Sequence, residues 1–346
     1  MKADPEYKVF GASSHKYCLN PVISLKEVRQ FEMEYHVTLP EEYVFFLTKV
    51  GNGGAGPYYG LYSLEKLKCY NDANNPDNPV FIDNSLTLEK WQDTINAMDD
   101  CTDEEYDQIE SRILSGALKI GTQGCTFGNL LMCQGSETGK IVYDDVDWFF
   151  DKPPFLTGMT FLDWYEQFFE EIAADHWVSF YGYKRLGTEE ELMRDYDAAI
   201  DLEQKAKVLS SFFRFKKLND KTVTWLMNMD ERRFDAAKVR LLLQSDIIKG
   251  LTVFESLLTG KNIIAAVDSA FAIPASHKNT YYQCMLKLLY EENAVDKEQI
   301  LYFLKDCSCK KAADLAAYAE SQQINSKTRQ TTIYVMESCD DMNKFI

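Results

Sequence analysis

Gly51, Gly53 and Gly56 stand in KVGNGGAGPYYG, residues 49–60, at the G-x-G-x-x-G spacing that can wrap backbone N–H groups around a dinucleotide phosphate. That chemistry needs a strand before the loop and a helix after it, because the helix N-terminus supplies free N–H groups and a positive dipole. The flanks here run in the opposite order. Upstream, VTLPEEYVFFLTKV places Pro40 at a first helical position, Glu41 and Glu42 in the first turn, and Tyr43, Phe46, Leu47 and Val50 along one face. Downstream, PYYGLYSL is short, aromatic and interrupted by glycine, which is a strand or turn pattern. Gly51, Gly53 and Gly54 therefore read as a helix stop, where positive φ releases the chain, and not as a phosphate cradle. A Walker loop is also excluded, since Asn262 follows Gly260-Lys261 and Glu255 stands where its first glycine belongs.

Other side chains capable of chemistry are scattered. His15, His36, His176 and His277 have no metal-ligand or metalloprotease spacing, and Cys307-Ser308-Cys309 is a C-x-C without a second pair. Asp144, Asp145 and Asp147 could bind a cation or act as paired carboxylates, but charge beside a turn explains them as well. No G-x-S-x-G elbow occurs. The expectation is a protein without catalytic residues, metal or cofactor.

The 346 residues are long enough for two domains, and 46% hydrophobic with 26% charged content suits a soluble globular chain. No stretch approaches the about 18 apolar residues of a membrane span, and the N-terminus lacks an export-like apolar run. Nine irregularly spaced cysteines fit reduced thiols, so a cytoplasmic location is expected. The net charge of −17 is uneven: up to Leu186 there are 30 acidic against 15 basic residues, and afterwards 24 against 22. Such an acidic first half repels nucleic acid and anionic membrane and steers toward basic proteins, although solubility alone also asks for net charge.

Elements follow from spacing. Ser24-Leu25-Lys26-Glu27 has capping-box spacing and opens a helix carrying Val28 and Phe31; the Pro40 helix and glycine stop come next, then strand material in YYGLYSLEKL. CYNDANNPDNP is a polar loop and DDCTDEEYDQIE an acidic patch, while NLLMC and KIVYD flank GSETG as a hairpin. TFLDWYEQFFEEIAAD predicts a helix with Thr160 as N-cap and Phe161, Trp164, Tyr165, Phe168, Phe169 and Ile172 as its buried stripe. Beyond about Tyr183 only helix-sized segments occur. Their breaks predict pairs of roughly 35 to 40 residues, a solenoid resembling HEAT-type arrays or, alternatively, a bundle. The fold expected is an α+β domain over 1–182, with helices on a mainly antiparallel sheet, and an all-α domain over 183–346.

The order of features in the first half resembles the SUKH superfamily. LPEEYVFFLTKVGNGG carries its leucine-proline helix start and glycine stop, with Leu39, Pro40, Tyr43, Gly51, Gly53 and Gly54 as the motif positions. IGTQGCTFGNLLMC, GKIVYDD with Val142 and Tyr143, and FLDWYEQFF with Phe161 and Trp164 resemble its remaining landmarks. The resemblance spans about residues 20–180; the acidic insertion DDCTDEEYDQIE departs from a compact member. It implies an α+β protein-binding domain. Bacterial members include immunity proteins that neutralise polymorphic toxins, often nucleases, and fungal members are regulatory hubs of cell-wall synthesis.

The leading expectation is an immunity protein that occupies the basic cleft of a toxin domain, with Asp99, Asp100, Asp103, Glu104, Glu105 and Asp107, together with Asp144, Asp145 and Asp147, as contacts. A scaffold holding different proteins on its two domains is the alternative. An enzyme with a site assembled in space is a third reading, which requires a pocket of strongly perturbed titrating groups.

Overall fold

Ser24 opens the first long helix, Leu25–Glu34, by accepting the Glu27 amide while the Glu27 carboxylate accepts the Ser24 amide. Two N–H groups that helix starts leave unpaired are thereby satisfied reciprocally. The computed structural model describes residues 1–71, 79–98, 101–144, 153–291 and 294–342, and the chain divides into two compact units, Met1–Arg185 and Leu186–Ile346.

The next helix, Glu41–Phe45, begins one residue later than the sequence predicts: Pro40 stays extended outside it and its carbonyl accepts the Tyr43 and Val44 amides. The helix widens over Phe46–Val50 and stops at Gly51, which is extended; Gly53 and Gly54 then take φ of 78° and 100°. A β-carbon on Gly54 would overlap the Cys18 carbonyl oxygen, so only glycine lets the chain turn back at this point. The helix stop is real, and no strand precedes it to make a phosphate loop. The aromatic segment after it differs from expectation. It forms a turn closed by the Gly60 amide on the Pro57 carbonyl and a single bridged residue, Leu61, lying between Gly54 and Gly121. Positive φ at Gly60 and the helix Leu64–Asn71 starting three residues after Leu61 leave room for one bridged residue only.

Strands β1 (Ala117–Gly124), β2 (Phe127–Met132), β3 (Lys140–Asp144) and β4 (Phe155–Thr160) make an antiparallel sheet in chain order. The β2–β3 hairpin is the one expected around GSETG, with Leu131 opposite Ile141 and Leu130 opposite Val142. β1 escapes sequence reading because register shifts on either side of Gly121 and Thr122 destroy its period-two alternation.

Alternation along β2 and β3 sends Leu130, Met132 and Val142 to one face, where Trp91 and Ile95 of the helix Leu88–Asn96 and Ile113 of the helix Asp103–Ile113 complete a core. Tyr143 goes to the other face and meets the helix Phe161–Ala173, which buries Phe161, Trp164, Tyr165, Phe168 and Ile172 and is capped by Thr160 as predicted. CYNDANNPDNP falls largely outside the described residues.

The second unit pairs short helices. First helices of successive pairs start at Glu189, Asp220, Ile247, Ala275 and Ala313, and second helices at Leu202, Asp235, Ile263, Lys297 and Ser326. The period is therefore 27 to 38 residues, shorter on average than predicted, because most of these helices run only 7 to 12 residues. The main helix contacts lie between elements adjacent or next but one in chain order, as a stacked array requires. Side chains bridge one pair to the next at matching spacing. Examples are the Asn219 amide on Glu189, the Asn262 side-chain amide on Asp235 at 3.1 Å, Tyr281 on Glu255 at 2.8 Å, and Tyr282 on Asp314 at 2.9 Å.

Candidate functional site

The residues expected to meet a partner are divided by the fold. Asp103, Glu104 and Glu105 form the first turn of the helix Asp103–Ile113, and with Asp107 they are exposed. Carboxylates at this end also offset the helix dipole, so part of the acidity serves the helix itself. Glu105 is committed further: its carboxylate accepts the Thr102 amide at 2.9 Å and hydroxyl at 3.0 Å, contacts that hold its carboxyl below the usual range. Asp103, Glu104 and Asp107 are left as outward charges. Asp99, Asp100, Asp145 and Asp147 lie outside the described residues.

Asp144 is interior. It is 4% exposed at the end of β3, opposite Gly128, where an added β-carbon would fall 2.5 Å from its Oδ2 and 3.1 Å from Lys119 Cε. A surface role for Asp144 is thus ruled out by the pleat, which turns it toward the sheet partner that glycine makes room for.

The family-motif positions build the opposite face. Leu39 is buried and its amide is taken by Glu32 at 2.9 Å. Tyr43 packs edge-on against Phe161 at 4.9 Å, and Phe46 against Tyr165 at the same distance, which fixes the Pro40 helix on the Phe161–Ala173 helix. Glu42 reinforces the crossing by capping the Leu162 amide at 3.0 Å.

Tyr143 and Trp164 do more than fill space. Trp164 Nε1 donates to Tyr143 Oη at 2.6 Å, and Tyr143 Oη donates to the Tyr181 carbonyl at 3.0 Å. Tyr58 Oη donates to the same carbonyl at 2.6 Å, and Tyr181 Oη returns a bond to the Trp164 carbonyl at 2.7 Å. Burial pushes the Tyr58, Tyr143 and Tyr181 phenols far above their ordinary range, so all three remain neutral donors. This network ties the stretch 178–183 across the sheet. Gly182 permits the approach, since a β-carbon there would collide with the Tyr143 hydroxyl and its φ is +81°. Tyr181 and Tyr58 were not singled out by sequence, because a tyrosine that bonds a carbonyl 123 residues away leaves no local spacing to detect.

Cys307 is fully buried, its Sγ donates to the Phe303 carbonyl at 3.4 Å, and burial pushes the thiol up to about 12, so it is a protonated core residue. His15 is also buried. Its Nδ1 accepts the Tyr17 amide at 3.0 Å, which leaves the proton of the neutral ring on Nε2, beside the Tyr58 and Gly56 carbonyls. Among the described residues, no three or more His, Cys, Asp or Glu side chains are grouped to hold a metal ion, and no helix is long and apolar enough to cross a membrane.

The SMI1 / KNR4 family (SUKH-1) model matches residues 22–167. No curated protein matched the chain, and no solved structure matched it. The matched span contains the Pro40 helix, the glycine stop, the four-stranded sheet and the Tyr143–Trp164 pair, while the Tyr181 carbonyl and hydroxyl that close the network lie beyond it. Residues 22–167 therefore form a SUKH domain of the SMI1/KNR4 family, a protein-binding module.

Proposed function

We propose that the protein is a non-catalytic immunity protein whose SUKH domain binds and neutralises a toxin domain, a nuclease being the class its charge suits best. The observation that carries this reading is the domain match combined with 30 acidic against 15 basic residues up to Leu186. A nuclease holds a basic cleft for phosphate, and Asp103, Glu104 and Asp107 offer outward carboxylates on a helix anchored to the sheet through Ile113. Attraction of this kind acts chiefly on the association rate and is screened by salt.

The test is co-expression with the toxin domain encoded beside the gene, scoring survival, followed by stopped-flow association. Reversing Asp103, Glu104 and Asp107 together to Lys is expected to slow association by about tenfold at low salt and flatten its salt dependence. An unchanged on-rate for a toxin that the protein does neutralise would remove the electrostatic part; absence of protection would remove the immunity reading. The division into two units, each with its own core, favours a second reading in which the SUKH domain and the helical array hold different proteins.

A further inference from the structure

Tying Tyr181 to Trp164, Tyr143 and Tyr58 does something that core packing alone does not require. It holds the adjacent Phe180 at φ 58°, a conformation costly for a bulky side chain, with its ring 70% exposed. Phe10, 57% exposed and edge-on to Tyr59 at 5.4 Å, stands with it at the mouth of a cavity of about 600 Å³. The cavity wall is aromatic, from Phe127, Phe168 and Tyr183, and its one amide side chain is Gln123. Gln123 Oε1 accepts from Tyr183 Oη at 3.5 Å; Gln123 Nε2 is buried and has no hydrogen-bond partner among the described residues. A buried donor left without an acceptor is costly, and the cost is relieved when the Gln123 amide turns into the cavity to meet a ligand carbonyl oxygen.

We infer that this cavity receives a single large apolar side chain, aromatic or aliphatic, from a protruding loop of a basic partner protein, with the loop's backbone carbonyl accepting from Gln123 Nε2. The inference deepens the protein-binding reading and rests on it. Three observations select a protein loop as the occupant. The volume exceeds what one side chain needs and leaves space for its backbone, the unsatisfied donor matches a peptide carbonyl, and the 30 to 15 acidic excess of the sequence up to Leu186 complements a basic partner. Apolar anchors seated in desolvated pockets dominate the binding energy of such contacts, whereas exposed charge governs their rate. The cavity opens on the side of the sheet that carries Tyr143 and Trp164, and the acidic helix Asp103–Ile113 packs on the other, so anchor and charge can be tested apart.

The experiment titrates the full chain with the acetylated, amidated peptide Lys-Lys-Gly-Trp-Gly-Lys-Lys and with its analogue carrying Ala for Trp. Burying the indole predicts about tenfold or more tighter binding of the Trp peptide. Ser179→Trp, an exposed wall residue enlarged into the cavity, is expected to abolish that difference. Gln123→Leu is expected to weaken the Trp peptide by about fivefold and to spare the Ala peptide, which keeps the inference testable if Ser179→Trp misfolds. Equal, salt-sensitive binding of both peptides overturns the cavity while leaving the acidic surface as a binding site. Tighter binding of lauric acid than of the Trp peptide, with displacement of the peptide, also overturns it, by making this a small-molecule site. Trp-dependent binding by a protein that neutralises no toxin sustains the cavity and removes the immunity reading instead.

Discussion

The two units are held together over very different distances along the chain. In the first, Tyr58 bonds a carbonyl 123 residues away, the Leu162 amide is capped by Glu42 across 120 residues, and Tyr165 bonds Ala55 across 110. In the second, the side chains that bridge neighbouring helix pairs are about 30 residues apart, as in Asn219 with Glu189, Tyr282 with Asp314 and Lys327 with Glu298. The first unit can thus form its core only when most of it is present, whereas the second adds one hairpin to the next. Long-range closure costs chain entropy before contacts repay it, and nearest-neighbour stacking avoids that step.

The sharpest way to break this contrast is to remove one large core side chain from each unit and follow amide hydrogen exchange. Trp164→Ala deletes a fully buried ring together with its bond to Tyr143 and is expected to cost about 4 kcal/mol, with protection lost together across β1 to β4 and the Phe161–Ala173 helix. Protection lost only near residue 164 would show that the first unit is not cooperative. Leu301→Ala in the helix Lys297–Lys305 should cost about 3 kcal/mol, yet the loss should stay within its own hairpin and the neighbouring ones. A loss spread from residue 189 to residue 337 would instead make the second unit a bundle.

The smallest effect concerns acid. Burial holds the His15 imidazole below its ordinary 6.5, so the fold keeps it neutral while the unfolded chain takes up a proton. Stability from this group is complete above that value and is lost as pH falls below it, by at most about 1.4 kcal/mol per pH unit. Urea unfolding, read at β1 to β4 by pulsed exchange between about pH 7 and 5, should therefore show a slope that His15→Asn flattens. The second unit gives the internal control, since its one histidine, His277, is half-buried at a helix start with its ring against the neighbouring Ser276 hydroxyl at 3.0 Å.

Much of the first unit was legible because its strongest signals are local. Thr160 and the Phe161–Ile172 stripe form the helix that spacing predicts, and Ser24 with Glu27 forms its capping box. The helix Asp103–Ile113 carries an equally plain signal, Thr102 and Glu105 at capping-box spacing with Tyr106, Ile109 and Ile113 behind them, but the density of acids masks its period. β1 was obscured by its bulges, and the helix pairs were read too long because their short breaks carry few glycines or prolines to mark them.

By itself the sequence determined the helix stop at Gly53 and Gly54, the β2–β3 hairpin, the aromatic helix and the acidic bias, since each depends on neighbours within about one or two turns. Only the tertiary structure decided that Asp144 is interior, and that Tyr58, Tyr143, Trp164 and Tyr181 converge to hold Phe180 beside an aromatic cavity. Those outcomes depend on which face of a pleat a residue takes and on hydrogen bonds that close over more than a hundred residues, and neither leaves a periodic trace along the chain.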